Sequence, residues 1–452
     1  MLNRSKAAPL NVTIEITTKT GSIRAFKMVA GEFHRIQYLN VIIPSGSFAA
    51  IAKLFKQKDA TRLLKSMTLR YQCTRTSSTG QASMESNNLL FPSCSIPRLE
   101  ELMVHNFHPD TIMPFLNRTV RSFRYMPMST WRRSRDASPS IGTVLGAITK
   151  MPLLKLLSIC DLDDRVLSST PKSHTQHISL DDLESLDLNR IDCDHAVYLL
   201  NAIRFPTTTK LYLELPRCTS RQSDDLPPTN FSTLATILSE RLVGTEENSR
   251  RFGFVRLCYR QLSVVIRNLA TLQMAIWADD PTYSSRADLH LSLPLTGFNI
   301  EVFCQNFAPL TYIHTLEVGC VANEWIDWLP NLPNLKNFII ADTSEYKAIT
   351  LLSAAFTSGN LHVLDSLILR KVQFAVDAIS EDKLKGLGEI MVDKESECFR
   401  ENLILAAHLS KRLEMGGIIH KLVINNCRFV RKETVEKLGL FVDGDVEWDG
   451  HD

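Results

Sequence analysis

No stretch of this 452-residue chain approaches the roughly 20 consecutive apolar residues that a membrane span needs. The opening residues, MLNRSKAAPLNVTIEITTKT, hold no apolar run of secretion-signal length, so a cytoplasmic or nuclear protein is expected. An excess of one charge is also missing. Lys and Arg number 51 against 49 Asp and Glu, a formal net charge of +2. That balance supplies no bulk field for a polyanion, so neither nucleic acid nor membrane is expected as a partner. The ten cysteines form no C-x-x-C pair and no metal-ligand spacing, and several lie in apolar runs, such as Cys304 in FCQNF. They read as buried thiols of a reducing compartment.

Catalytic signatures are absent too. There is no phosphate-binding glycine loop, no G-x-S-x-G elbow and no H-E-x-x-H helix. The adjacent carboxylates Asp163–Asp164 and Asp181–Asp182 read as solvated loop residues, because acid–base work needs one member buried and perturbed. Cys193 and His195 are close in sequence, but a thiol–imidazole pair must be placed in space. No enzyme, cofactor or metal is expected. The acceptor triplets at Asn11, Asn117 and Asn230 carry little weight without a secretion signal.

What the chain does have is an internal repeat: apolar, two residues, apolar, one residue, apolar. It runs Ile36-Leu39-Val41, Leu64-Met67-Leu69, Leu99-Leu102-Val104, Val120-Phe123-Tyr125, Leu154-Leu157-Ile159, Leu183-Leu186-Leu188 and a weaker Thr208-Leu211-Leu213. It resumes with Ile313-Leu316-Val318, Leu335-Phe338-Ile340, Leu364-Leu367-Leu369, Leu387-Ile390-Val392 and Ile419-Leu422-Ile424. Successive third positions stand 28, 35, 21, 34, 29 and 25 residues apart, then 105, then 22, 29, 23 and 32. Most steps match the roughly 20–29 residues of leucine-rich repeats, the longer ones leaving room for insertions. The last two apolar positions share one side of a strand, and the first tucks into the same core just ahead of it. Pro97, Pro152 and Pro333 each precede a first position by two residues and belong in the loop entering the strand.

Helical spacing appears between these strands, as in Phe48, Ile51, Ala52 and Phe55, or Leu234, Ile237, Leu238 and Leu242. Asp194 is placed as the N-cap of the stretch holding Val197, Leu200 and Ile203. Strand followed by helix, repeated, predicts an α/β leucine-rich-repeat horseshoe, with parallel strands on the concave face and helices on the convex face. One domain is expected over 1–452: a cap region over 1–33, repeats over 34–213, irregular repeats with insertions over 214–312, repeats over 313–427 and a C-terminal cap over 428–452. In the irregular part, strand-like runs at 254–257, 262–266, 272–276 and 289–293 lie close enough that some could pair as hairpins. Polar stretches at 72–88, 218–230 and 278–288 read as loops.

The residue between the second and third apolar positions should project from the concave face. Along the chain these are Asn40, Thr68, Met103, Arg124, Ser158, Asp187 and Tyr212, then Glu317, Ile339, Ile368, Met391 and Val423. The first group is mixed and polar and the last four are apolar. Contiguous exposed apolar side chains mark partner sites, so Ile339, Ile368, Met391 and Val423, with Arg124 and Tyr212, form the candidate protein-binding surface. A one-residue slip in register would hide them. The basic run Trp131–Asp136 is read as a solvated loop, and the acidic tail (Asp443, Asp445, Glu447, Asp449, Asp452) as a polar cap.

The two ends carry a family resemblance. Arg4, Ser5, Ala8, Pro9, Leu10, Val12 and Ile14 at the start resemble a segment that opens the repeat region in fungal F-box proteins with leucine-rich repeats. Leu422-Val423-Ile424, Cys427, Val435, Leu438 and Val446-Glu447-Trp448-Asp449-Gly450 resemble the end of the same proteins. The resemblance implies a substrate-recognition region of a ubiquitin-ligase receptor; the alternative is a free-standing scaffold or inhibitor with no ubiquitin link. No F-box lies within these 452 residues, so a ligase adaptor is expected as a partner only if that module lies upstream. The asparagine usual late in each repeat is also replaced, by Leu162, Ile191, Val321, Thr343, Val372 and Cys427, which predicts irregular turns.

Overall fold

The computed structural model describes residues 8–16, 20–44, 48, 52, 62–72, 96–127, 140–162, 177–215, 231–243, 254–261, 270–277, 289–294, 306–307, 313–319, 332–341, 343, 348, 352, 363–374, 404–414 and 416–450. The chain divides into two compact units, Met1–Pro216 and Arg217–Asp452.

The first unit is a parallel sheet in chain order. Its strands are β1 (Leu10–Glu15), β2 (Ile36–Pro44), β3 (Ser66–Gln72), β4 (Glu101–His105), β5 (Ser122–Met126), β6 (Leu156–Cys160), β8 (Ser185–Asn189) and β10 (Lys210–Glu214). The short strands β7 (Ile178–Ser179) and β9 (Ile203–Arg204) pair separately. Helices α1 (Thr20–Ala30), α2 (Ile141–Ile148) and α3 (Cys193–Ala202) lie in the crossovers. The N-cap of α3 is Asp192, not Asp194: its extended backbone lets the carboxylate accept from His195 N at 2.8 Å, whereas Asp194 already lies in the first helical turn.

The second unit orders its strands β13 (Leu289–Pro294), β12 (Ala270–Trp277), β11 (Phe254–Gln261), β14 (Thr315–Gly319), β15 (Asn337–Ala341), β16 (Val363–Arg370), β17 (Ile418–Asn425) and β18 (Asp445–Trp448). Its helices are α4 (Phe231–Val243), α5 (Ile404–Glu414) and α6 (Lys432–Gly439). From β11 through β18 neighbours run parallel, but β11, β12 and β13 form an antiparallel meander. Of the two pairings left open for this stretch, the hairpins are formed and the parallel arrangement is not, for a simple reason. Only residues 262–269 join β11 to β12 and 278–288 join β12 to β13, and a parallel crossover needs about a dozen residues or more. The run expected at 262–266 lies outside the described residues.

The apolar triplets do the packing. Second and third positions from Leu39 to Ile424 all lie in strands and are at most 3% exposed, except for the triplet at 387–392, which lies outside the described residues. The weak triplet is shifted by one: Thr208 is exposed, and Thr209 is buried in its place with its hydroxyl donating to Leu183 O at 2.6 Å.

Two local devices repeat. Ahead of the strands a tight turn returns a backbone N–H to the carbonyl three residues earlier: Leu99 to Ile96, Leu154 to Met151 and Leu335 to Leu332, with Pro97, Pro152 and Pro333 second in the turn. Proline's fixed φ suits that position. At the strand exits a left-handed residue recurs two places after the third apolar position: Asn106, Asp161, Arg190, Lys371 and Asn426. The next residue, Phe107, Leu162, Ile191, Val372 or Cys427, is buried. Leu162, Ile191, Val372 and Cys427 are among the places where the consensus asparagine is replaced. The backbone ladder is completed by the turn itself, through Asn106 N to Met126 O at 2.7 Å, Asp161 N to Asn189 O at 2.9 Å and Lys371 N to Asn425 O at 2.9 Å. The acidic tail is a rung of the sheet as well as a polar end. β18 pairs parallel with β17, Lys421 Nζ meets Glu447 Oε1 at 2.7 Å, and the Asp449 carboxylate accepts from Asn426 N.

Candidate functional site: the open sheet faces

The residues expected in one row stand in one row. In the first unit the register aligns Thr13, Asn40, Thr68, Met103, Arg124, Ser158, Asp187 and Tyr212 as successive Cα partners. In the second it aligns Arg256, Glu317, Ile339, Ile368, Val423 and Glu447. Alternation forces this: from Asn40 to Tyr212 and from Glu317 to Val423 each row residue sits between two buried core residues.

Met391 lies outside the described residues. β16 pairs directly with β17, so Ile368 and Val423 are neighbours. Ile339 is not exposed either, at 5%. Ile368 and Val423 are half-buried, Tyr212 is half-buried and Arg124 is exposed. The apolar run of the second unit is therefore a partly covered stripe and not an open patch.

A polar pair spans the same face. Glu317, with a side chain 9% exposed, pairs with Arg370, 37% exposed, at 3.6 Å. β15 lies between their strands, and both residues project from the face that carries Ile339 and Ala341. Two residues toward the strand starts, Ser366 Oγ donates to Asn337 Oδ1 at 2.8 Å and Asn337 Nδ2 to Thr315 Oγ1 at 3.1 Å.

The first unit's face is more polar. Asp187 accepts from Asn189 Nδ2 at 2.6 Å and from Ser158 Oγ at 3.3 Å. Arg190 pairs with Asp161 at the exit turns beside it. Burial is the largest influence on Cys160 and pushes its thiol up, so it is a poor nucleophile. Burial raises Cys427 as well, and its thiol donates to Leu369 O at 3.3 Å. Cys193 and His195 are both buried, and the His195 ring is held by Asp192 at the start of α3, a helix-capping arrangement. Asn117 is a turn residue: Nδ2 donates to Ile96 O at 3.1 Å and Oδ1 accepts from Thr119 N at 2.9 Å. The basic run 131–136 lies outside the described residues. Among the described residues, no group of three or more His, Cys, Asp or Glu is arranged to hold a metal ion, and no helix is long and apolar enough to cross a membrane.

Arg70, His105 and Arg370 belong to these faces but were not among the candidates. Each stands one place after the third apolar position, on the same side as the central row and two residues further on. The period-two rule that located the row locates them too.

The strand register and buried triplets define an α/β repeat fold of the leucine-rich-repeat type. No family model matches the chain, and no curated protein does. Among solved structures, the crystal structure of a TLR13–ssRNA13 complex aligns at 13% identity and a TM-score of 0.30, over 92% of this chain. The chain spans about half, 46%, of the length of the chain it matches there.

Proposed function

We propose that this chain is a protein-interaction module that holds a protein partner on its open sheet faces, as the substrate-recognition region of an F-box-type ubiquitin-ligase receptor. The observation that carries the first part is the register: eight residues in one unit and six in the other stand side by side across parallel strands, those from Asn40 to Tyr212 and from Glu317 to Val423 each between buried neighbours. Such rows vary without disturbing the core, which is what a recognition surface requires. The ubiquitin link is supported by the family resemblance at the two ends.

Two experiments test the two parts. A photo-crosslinking amino acid placed at Ile368, Val423 or Tyr212 should capture partner in cells, whereas one at exposed Lys432 on α6 should not; equal capture at all sites would sink the face reading. The transcript upstream of Met1 should encode an in-frame F-box, and the complete product should co-purify the ligase adaptor. A product that captures partner without the adaptor supports the free-standing scaffold instead.

A further inference from the structure

Cations on these faces generally have partners. Arg370 meets Glu317, Lys421 meets Glu447, and at the strand entries Lys155 meets Glu184 and Lys336 meets Asp365. Arg70 on β3 and Arg124 on β5 differ. Both are exposed, and neither makes a hydrogen bond or ion pair with any described residue. Between them on β4 stands His105, the Cα partner of Arg70, while Met103 on the same strand is the Cα partner of Arg124. His105 Nε2 is buried and has no hydrogen-bond partner among the described residues. Strands about 4.8 Å apart put β3 and β5 roughly 10 Å from each other, a gap two arginine side chains can close on one anion over β4.

We infer that the open face of the first unit carries an anion-recognition site built from Arg70, His105 and Arg124, which takes an acidic group of a protein partner. This rests on the reading of the faces as partner-binding surfaces and names the chemistry one of them selects. Two guanidiniums side by side repel, and each presents a planar set of donors matched to an oxyanion. A buried imidazole nitrogen without a partner costs stability unless a ligand supplies one. The surroundings choose between kinds of anion. Met103 and Met126 are half-buried beside the site and Leu156 is exposed next to it on β6. Soft and aliphatic neighbours suit the apolar side chains flanking an acidic residue in a peptide. A polyanion needs a longer track of cations than two arginines provide. The oxyanion itself is a carboxylate or a phosphoryl group.

The test uses the full chain and three short fluorescent peptides, identical but for a central Glu, phosphoserine or Gln between leucines. The expected result is that at least one charged peptide binds roughly tenfold or more tighter than the Gln peptide, the scale of one charge-assisted contact. Comparing Glu with phosphoserine identifies the oxyanion. Arg70→Gln and Arg124→Gln should each abolish that preference while leaving the melting temperature unchanged, and Lys432→Gln on α6, away from the faces, should leave binding intact. Equal binding of all three peptides, or unchanged preference in both variants, overturns the site. Displacement of the charged peptide by an equimolar single-stranded oligonucleotide overturns the choice of a protein partner. If partner crosslinks to the faces yet is held equally by the Arg70→Gln, Arg124→Gln double variant, the face reading stands and the anion site falls. If no face crosslinks partner, the peptide series still decides the anion site.

Discussion

Arg370 Nη1 reaches Glu317 Oε2 at 3.6 Å from two strands away, across β15. The carboxylate is nearly buried while the guanidinium keeps contact with water. Removing the arginine therefore takes a counter-charge from a carboxylate that is poorly hydrated, whereas removing the carboxylate leaves a cation that can turn outward. Arg370→Met should lower the unfolding free energy by about 1–2 kcal/mol, below the cost of breaking a fully buried pair because the arginine is part-exposed. Glu317→Gln should cost less, and in the double variant the losses should fall short of their sum. Urea denaturation of the four proteins measures this; additive losses would mean that the pair is not coupled.

Adjacent residues on β16 should respond in opposite ways. Leu367 is fully buried and Ile368, next to it, is half-buried on the open face. Leu367→Ala should cost about 2–5 kcal/mol through lost transfer energy and a residual cavity. Ile368→Ala should cost less, about 1–2 kcal/mol, since part of its side chain already meets water and truncation on the open face leaves no closed cavity. Partner binding should show the reverse order: Ile368→Ser weakens it, and a conservative Leu367→Met leaves it intact. Similar destabilisation by the two alanines would show the strand to be slipped.

Gly444 joins the α6 segment to β18 where two backbones nearly touch. A Cβ built there would lie 2.2 Å from His420 O, so even alanine needs backbone movement. Gly444→Ala should detach β18 from β17, with faster amide exchange at Val446 and Trp448 and a drop in stability of about 1–3 kcal/mol. Unchanged exchange at those amides would count against the close approach.

Acid should weaken the first unit through its histidines. Burial, with the Arg70 charge adding to it, holds His105 below the ordinary 6.5, and burial lowers His108 despite the opposing charge of Asp110. Unfolded histidines take up protons near 6.5, folded ones only at lower pH. Between those values the unfolded state holds more protons, so this stability is present above 6.5 and is lost as pH falls below it. From about pH 7 to about pH 5.5 the melting temperature of the native chain should fall more steeply than that of His105→Gln. Parallel slopes would show that His105 does not contribute.

Much of the fold was legible because the unit repeats. A period of two places Leu186 and Leu188 inside and Asp187 outside without reference to any distant residue. Identical units then stack in equivalent register, so the row from Asn40 to Tyr212 follows from local pattern alone. The proline turns at Pro97, Pro152 and Pro333 were legible for the same reason. The left-handed exits were not: Arg190 and Lys371 carry no local mark of positive φ, and they adopt it because Ile191 and Val372 after them must turn back into the core.

The sequence by itself therefore determined the repeat, the sidedness of each strand and which residues make up each row. Only the tertiary structure decided which strand stands beside which. Short links turned β11, β12 and β13 antiparallel, and direct pairing of β16 with β17 brought Val423 against Ile368. Exposure was decided there too. Ile339 is buried on a face from which the pattern projects it, and charged side chains from β14 and β16 meet on that same face. Alternation is set by the backbone of one strand, whereas cover comes from long side chains rooted in its neighbours, and their reach is not written in local spacing.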